Sequence, residues 1–267
     1  MNKIVQKERL PLSVRKFLIE GLFNIDFYKY ATGIIKLTVC QQDLLDKAYK
    51  EYGQGKPLEY ITGKSDFFGL RLDIEQSVLI PRPETETLIE QALEFMPSTK
   101  TLTVLDVGSG SGNLAVSLGL HRPLYKVIST DIARNALLVA ARNVSKYNLK
   151  QVFFINADCL GCFKESVFDA IISNPPYVES LFIDEDTCIE HEPRVALDGG
   201  PCGLLIIKRI LDSAAGCLRK EGLVFLEIGY NQMEAVLEYA QDKGLKFIKS
   251  AKDYSGIDRV VILVKVN

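Results

Sequence analysis

The sequence predicts an α/β fold: a mainly parallel sheet with helices on both faces, preceded by a small helical unit. Two observations carry this. From Thr101 onward seven short apolar runs alternate with stretches of helical period, the pattern of strand–helix units winding one sheet. The first sixty residues show helical spacing instead.

Taken in order, Val14, Phe17, Leu18 and Leu22 recur at helical spacing, as do Leu44, Leu45 and Ala48 after Gln41-Gln42-Asp43. Gly53 and Gly55, with Pro57 just beyond, stop the second helix. A helical domain over residues 1–63 follows. Between Asp66 and Ile80 the pattern turns strand-like, with Phe68, Leu70, Leu72 and Ile74 alternating with Gly69, Arg71 and Asp73. Pro81-Arg82-Pro83 then punctuates the chain, so 64–83 reads as a hinge or hairpin before a domain at 84–267. Thr85 to Phe95 is helical again.

Leu102 to Val107 is a strand of buried type, followed by a glycine loop and a helix over Leu114 to Leu120. Lys126 to Asp131, Val152 to Asp158 and Phe168 to Ser173 are the next strands, with a helix over Ala133 to Tyr147 between the first two. Leu204 to Leu218 is a long helix, Leu223 to Gly229 a fifth strand and Met233 to Ala240 another helix. Lys246 to Ser250 and Val260 to Val266 lie so close in sequence that they pair antiparallel.

Composition narrows the function classes. A hydrophobic fraction of 47% and a charged fraction of 25% over 267 residues describe an ordinary globular chain. No apolar run reaches the ~20 residues that span a bilayer, so no membrane association is expected. Met1 to Leu10 carries Lys3, Lys7, Glu8 and Arg9 without an apolar core, which points to a cytoplasmic location and reduced thiols. Cysteines stand at 40, 159, 162, 188, 202 and 217. Cys159 and Cys162 have C-x-x-C spacing, but no second pair follows and the histidines are His121 and His191, so no metal site is expected. Residues 1–65 hold 11 Lys+Arg against 7 Asp+Glu, and the remaining residues 21 against 27. The larger part therefore lacks the basic surplus that phosphate binding needs, and no stable nucleic-acid binding is expected.

Gly108-Ser109-Gly110-Ser111-Gly112 follows a strand and opens a helix, the context in which such a loop cradles a ligand. Its G-x-G-x-G spacing differs from the G-x-G-x-x-G of dinucleotide folds. Asp131 ends the second strand, 23 positions past Gly108, where a carboxylate can accept from two ribose hydroxyls or cap the next helix. Asp158 and Cys159, at the end of the third strand, are placed to flank an adenine. Together these residues favour a nucleoside ligand.

Asn174-Pro175-Pro176-Tyr177 closes the fourth strand beside the crevice where α/β sheets bind ligands. Two prolines donate no backbone hydrogen bond, so this strand end is rigid and presents acceptors. The Asn174 side-chain carbonyl and the Pro175 backbone carbonyl can each accept from a planar NH2 group, and Tyr177 can stack on it. Such a site holds a flat nitrogen for in-line attack on a sulfonium methyl, which is catalysis by positioning.

With Leu79-Ile80-Pro81-Arg82-Pro83-Glu84-Thr85-Glu86, Asp106 to Gly112 and Ser173 to Tyr177, the chain resembles the HemK/PrmC family of peptide chain release factor N5-glutamine methyltransferases. Glu192-Pro193-Arg194-Val195-Ala196-Leu197-Asp198-Gly199-Gly200 and Glu227-Ile228-Gly229-Tyr230-Asn231-Gln232 extend the likeness, which runs from about Gly55 to the C-terminus. The Asn-Pro-Pro-Tyr segment is shared with adenine-N6 methyltransferases; the Ile-Pro-Arg-Pro-Glu-Thr-Glu segment is far more specific. The resemblance implies a class I S-adenosylmethionine-dependent methyltransferase fold, Rossmann-like, with a mostly parallel seven-stranded sheet, an antiparallel last strand and a small N-terminal helical domain for substrate recognition. It implies S-adenosyl-L-methionine as cofactor, S-adenosyl-L-homocysteine as product, and the glutamine of the Gly-Gly-Gln motif of class I release factors as target. Gly108, Ser109, Gly110, Ser111, Gly112, Asp131, Cys159 and Asn174 would line the cofactor. Asn174, Pro175, Pro176 and Tyr177 would hold the glutamine amide, with Asn174, Pro175 and Tyr177 catalytic. Glu192, Arg194 and Asp198 would shape a loop over the substrate or only order it. A monomer is expected. Methylation of adenine-N6 in nucleic acid or of a ribosomal protein glutamine, and a catalytically inactive nucleoside-binding domain, remain the alternatives.

Overall fold

The computed structural model describes residues 10–163, 165–185 and 189–266. Cys188 and the charged residues before Leu10 lie outside them. The chain divides into two compact units, 1–65 and 66–267.

The first unit is helical: α1 (Leu12–Phe23), α2 (Phe27–Ala31), α3 (Val39–Gly53) and α4 (Leu58–Thr62). Its core is Val14, Leu18, Ile19, Phe27, Leu45, Ala48 and Tyr49. Burying each large side chain here contributes roughly 1.5–3 kcal/mol. Leu44, which belongs to the apolar spacing of α3, is exposed. Thr38 starts α3 with a reciprocal cap: Gln41 N–H donates to the Thr38 hydroxyl (3.3 Å), and Thr38 N–H donates to Gln41 Oε1 (2.9 Å). The five-residue helices α2 and α4 are too short for periodicity to mark them.

Within 64–83, read from the sequence as a hinge or hairpin, the chain forms a two-stranded hairpin. β1 (Lys64–Phe67) and β2 (Leu70–Asp73) pair across a turn in which Phe68 (φ 50°) and Gly69 (φ 71°) are both left-handed, the geometry of a two-residue hairpin loop.

The second unit continues with a 3-10 turn at Pro83–Thr85, α5 (Glu86–Phe95), β3 (Thr103–Val107), α6 (Asn113–His121), β4 (Lys126–Asp131) and α7 (Arg134–Lys146). β5 (Val152–Asn156), β6 (Phe168–Ser173), α8 (Ser180–Glu185) and a 3-10 turn at Arg194–Ala196 follow. The chain closes with α9 (Leu205–Cys217), β7 (Leu218–Glu227), α10 (Met233–Asp242), β8 (Leu245–Lys252) and β9 (Asp258–Lys265). The seven-stranded sheet has the order β5-β4-β3-β6-β7-β9-β8, parallel except for β9, which runs against both neighbours. The fold is the class I methyltransferase architecture.

Both faces are buried. Val104, Val127, Ile172, Phe225 and Ile262 pack with α5, α6 and α7 on one side. Leu105, Ile171, Val224, Leu226 and Val261 pack with α9 and α10 on the other. Successive residues of a strand point to opposite faces, so the central strands must be apolar throughout. Four strands have boundaries that differ from the sequence reading. β5 stops at Asn156, whose side chain donates to the carbonyls of Asp131 (2.7 Å) and Ile132 (3.0 Å), so Asp158 lies beyond the strand end. β7 starts at Leu218, across a register irregularity opposite β6. β8 and β9 run longer than their apolar cores, leaving Asp253 to Ile257 as the loop.

Strand order reverses between β3 and β6: β4 and β5 lie outward of one, β7 and β9 outward of the other. At such a switch point the loops leaving two neighbouring strands diverge and open a crevice at their carboxyl ends.

Candidate active site

The loop after β3 forms one wall of that crevice. Gly108, Gly110 and Gly112 all have positive φ (82°, 53° and 79°), a curl that only glycine adopts without strain. Thr130 carbonyl accepts from Gly108 N–H (2.9 Å) and Ser109 N–H (2.8 Å), so these amides tie the loop to β4. Asp131 accepts from Gly110 N–H (2.9 Å) through one oxygen and from Ala133 N–H (2.8 Å) through the other. The carboxylate thus braces the loop and the entry to α7, and each oxygen keeps a lone pair for a further donor. Burial raises its pKa, opposed by those two amides. Asn143, wholly buried on α7, donates to the carbonyls of Ser111 (2.8 Å) and Asp73 (2.8 Å), locking the loop's far end. Beneath the loop, Asp106 is buried and accepts from the Ser129 hydroxyl (2.5 Å); burial pushes its pKa up to about 7.

Gly108, Ser109, Gly110, Ser111, Asp131, Cys159, Asn174, Pro175 and Pro176 line one cleft with Ile132, Ala133 and Ala136. Gly112 and Tyr177 do not line it. Gly112 instead lets α6 approach α7, because a Cβ there would stand 3.0 Å from Ala140 Cβ. Three observations fit the cleft to a nucleoside with a polar tail. A Cβ on Gly110 would project into open space. The hydroxyls of Ser109 and Ser111 are buried with no partner among the described residues. Asp131 offers acceptors beside apolar Ile132 and Ala136. At the far end Cys159 has φ 50°, and burial pushes its thiol up to about 11. Asp158 is engaged with Arg209 (2.6 Å), which holds its carboxyl below the usual range.

The opposite wall is the segment after β6. Ser173 hydroxyl donates to the Val107 carbonyl (2.7 Å), joining the two strand ends, and a Cβ on Gly108 would stand 3.8 Å from the Asn174 carbonyl. Asn174 Nδ2 donates to the Thr85 hydroxyl (3.0 Å), which leaves its Oδ1 as the outward acceptor. Tyr177 hydroxyl donates to Glu227 Oε1 (3.0 Å), and Gln232 Nε2 donates to the Tyr177 carbonyl (3.0 Å). Gln232 also receives the Gly229 N–H (2.8 Å) and donates to the Gly203 carbonyl (3.2 Å). Glu227 has no exposed surface, and burial pushes its pKa up to about 7 against the opposing Thr85, Tyr177 and Arg259. Burial likewise raises Tyr177, reinforced by Glu227.

The remaining motif residues hold loops. Glu192 accepts from the Arg82 guanidinium and from Ile80 N–H (3.1 Å). Asp198 accepts from the Ser180 hydroxyl (2.6 Å), Gly200 N–H (2.9 Å) and Arg194 Nε (3.1 Å). Glu86 accepts from Phe68 N–H (2.7 Å). Sequence reasoning had no role for Thr85, Glu227 as a side chain, or Gln232. The available signals were their places in the family-like segments Leu79 to Glu86 and Glu227 to Gln232, and a carboxylate terminating the apolar run Leu223 to Leu226. Cys159 and Cys162 belong to no group of three or more metal-ligating residues among the described residues. No described helix is long and apolar enough to cross a membrane.

Residues 85–191 match the family model for the methyltransferase small domain. A release factor glutamine methyltransferase of Thermodesulfovibrio yellowstonii is 34% identical over 269 residues, covering 99% of this chain and 96% of that protein. That of Lactococcus lactis is 38% identical over 229 residues, covering 85% and 84%. Among solved structures, a methyltransferase from Pyrococcus furiosus aligns with a TM-score of 0.57 at 19% identity, over 86% of this chain and 100% of its own, a likeness of fold alone.

Proposed function

The chain belongs to the release factor glutamine methyltransferase family, a family of S-adenosylmethionine-dependent enzymes, and on that premise we propose how its own residues act. It methylates the side-chain N5 of the glutamine in the Gly-Gly-Gln motif of class I release factors. The observation that carries this reading is the tethered Asn174 amide, whose Nδ2 is spent on Thr85 while Oδ1 is left as an acceptor beside the cleft. A planar NH2 group donates to Asn174 Oδ1 and to the Pro175 carbonyl. Both acceptors stand on a proline-stiffened strand end, so the nitrogen is held with its lone pair directed at the donor. Pro176 completes the seat for the amide plane, and Tyr177, outside the cleft lining, anchors the segment through its hydroxyl on Glu227.

S-adenosylmethionine, when bound, supplies an electrophilic sulfonium methyl. Gly108 to Ser111 give it room, Asp131 accepts from its ribose hydroxyls, and Cys159 borders the adenine. The helical domain, taken as residues 1–63 with a linker at 64–83 and the transferase domain at 84–267, recognises the release factor. The protein acts as a monomer in the cytoplasm. Offered labelled S-adenosylmethionine, a class I release factor and DNA together, the enzyme is expected to label the release factor. Label in the DNA, or in neither, would sink this reading.

A further inference from the structure

Beyond its nucleoside, S-adenosylmethionine carries an amino-acid tail that ends in a carboxylate, and a carboxylate taken from water needs donors. The glycine loop has few left to give. Thr130 carbonyl takes the Gly108 and Ser109 amides (2.9 and 2.8 Å), Asp131 takes that of Gly110 (2.9 Å), and Ser109 carbonyl takes that of Gly112 (2.8 Å). Among the described residues that line the cleft, two are basic, Arg82 and Arg209.

The two stand at different ends. Arg209, on α9, donates to Asp158 (2.6 Å) beside Cys159, where the base is placed. Arg82 precedes the 3-10 turn at Pro83–Thr85, and its carbonyl accepts from Thr85 N–H (3.1 Å). Thr85 in turn accepts from Asn174 Nδ2, so Arg82 stands at the reacting end of the cleft. With the base at Cys159 and the ribose on Asp131, the tail runs toward Arg82. The guanidinium contacts Glu192 through Nη2, and Glu192 Oε2 accepts from Ile80 N–H (3.1 Å). The Glu192 side chain is 2% exposed and that of Arg82 37%, so the carboxylate is the anchor and the guanidinium reaches the open cleft. A guanidinium has five N–H donors, more than one carboxylate can occupy.

We propose that Arg82 binds the carboxylate of the S-adenosylmethionine tail, with Glu192 as a positioning residue that holds the guanidinium toward it. This rests on the reading that the cleft takes S-adenosylmethionine. A planar fork of fixed charge suits a carboxylate better than an ammonium does. The Glu192 contact also fixes the 80–82 segment to the stretch that carries Val195 and Ala196, which line the cleft. An ion pair that only tied these segments together would serve every ligand of the cleft equally. A carboxylate receptor separates ligands that have the group from those that lack it.

S-adenosylmethionine and its decarboxylated form, which keeps the sulfonium and the amine, are titrated by calorimetry into wild-type enzyme, Arg82→Met, Arg82→Lys and Arg209→Met. Wild-type enzyme should bind the carboxylated form at least about tenfold more tightly, the scale of a hydrogen bond to a charged group. Arg82→Met should lose that preference, weakening S-adenosylmethionine about tenfold or more and leaving the decarboxylated form within about twofold. Arg82→Lys should recover part of it, and Arg209→Met should keep it. Equal weakening of both ligands in Arg82→Met would reduce the ion pair to a tie between segments and overturn the proposal. An unchanged preference in Arg82→Met, or none in the wild-type enzyme, would overturn it as well; each of these leaves the proposed function standing. A preference lost in Arg209→Met and kept in Arg82→Met would place the carboxylate at the other end, against the proposal. Binding of neither ligand by wild-type enzyme would overturn the S-adenosylmethionine reading and this inference with it. Should Arg82→Met fail to fold with Glu192 unpaired, the pair Arg82→Met with Glu192→Gln removes the stranded charge and is read in the same way.

Discussion

The two walls of the cleft are built by opposite means. The Gly108–Gly112 loop is held by what leaves the very next strand: Thr130 and Asp131 receive its amides, and Asn143 reaches in from a later helix. The Asn174–Tyr177 segment is held from far along the chain, by Thr85 before the sheet begins and by Glu227 and Gln232 after it has nearly closed. One wall is a local backbone device and the other a long-range side-chain device. The first should fail in binding, the second in turnover.

Asn174→Ala should give the largest effect, lowering kcat by about a hundredfold or more while cofactor affinity stays within about twofold, the scale of losing one positioned hydrogen-bond partner. A matched fall in affinity would erase the distinction between the walls. Gly110→Val acts on the other side. Its side chain would fill open space in the cleft, and φ 53° disfavours it, so calorimetry should find cofactor affinity reduced at least about tenfold. Unchanged affinity would remove the loop from the binding site. Gln232→Ala should be milder, lowering kcat a few-fold, because the Tyr177 carbonyl loses a donor while Asn174 keeps Thr85.

A further effect is on stability and not on the reaction. Asp106 and Glu227 are both pushed up to about 7 by burial, so the folded protein holds protons that the unfolded chain has released. Stability from each is present at low pH and lost as pH rises from the ordinary carboxyl range toward 7, by at most about 1.4 kcal/mol per pH unit per group. Denaturant titrations at pH 5 and pH 8 should show this fall, and Glu227→Gln should flatten its share. A wild-type stability that rises across the same window would contradict the buried, partly protonated carboxyls.

The same contrast explains what the sequence disclosed. Strands β3, β4 and β6 and the glycine loop were legible because each signal is contiguous: an apolar run, a glycine spacing, an acid at a strand end. Asn174 to Tyr177 was legible as a motif for the same reason. The roles of its supports were not, since Thr85 and Gln232 stand in family-like segments far away in sequence, and nothing in those segments says which residue they touch until the sheet brings them to β6. Residues 64–83 were read as a hinge or hairpin, but the turn at Phe68-Gly69 was not placed within them, because a left-handed Phe carries no compositional mark. Asp158 was placed at the end of its strand because apolar content hides where pairing stops. Asn156, bonded to two carbonyls of the neighbouring turn, ends the pairing earlier.

The central claim is that the Asn174–Tyr177 wall presents a planar side-chain amide to the methyl donor. Tandem mass spectrometry of a class I release factor after incubation with the wild-type enzyme and S-adenosylmethionine tests it most directly. The account predicts one added methyl group, on the side-chain nitrogen of the Gly-Gly-Gln glutamine. A methyl group on any other atom, or an unmodified glutamine after full incubation, would contradict it.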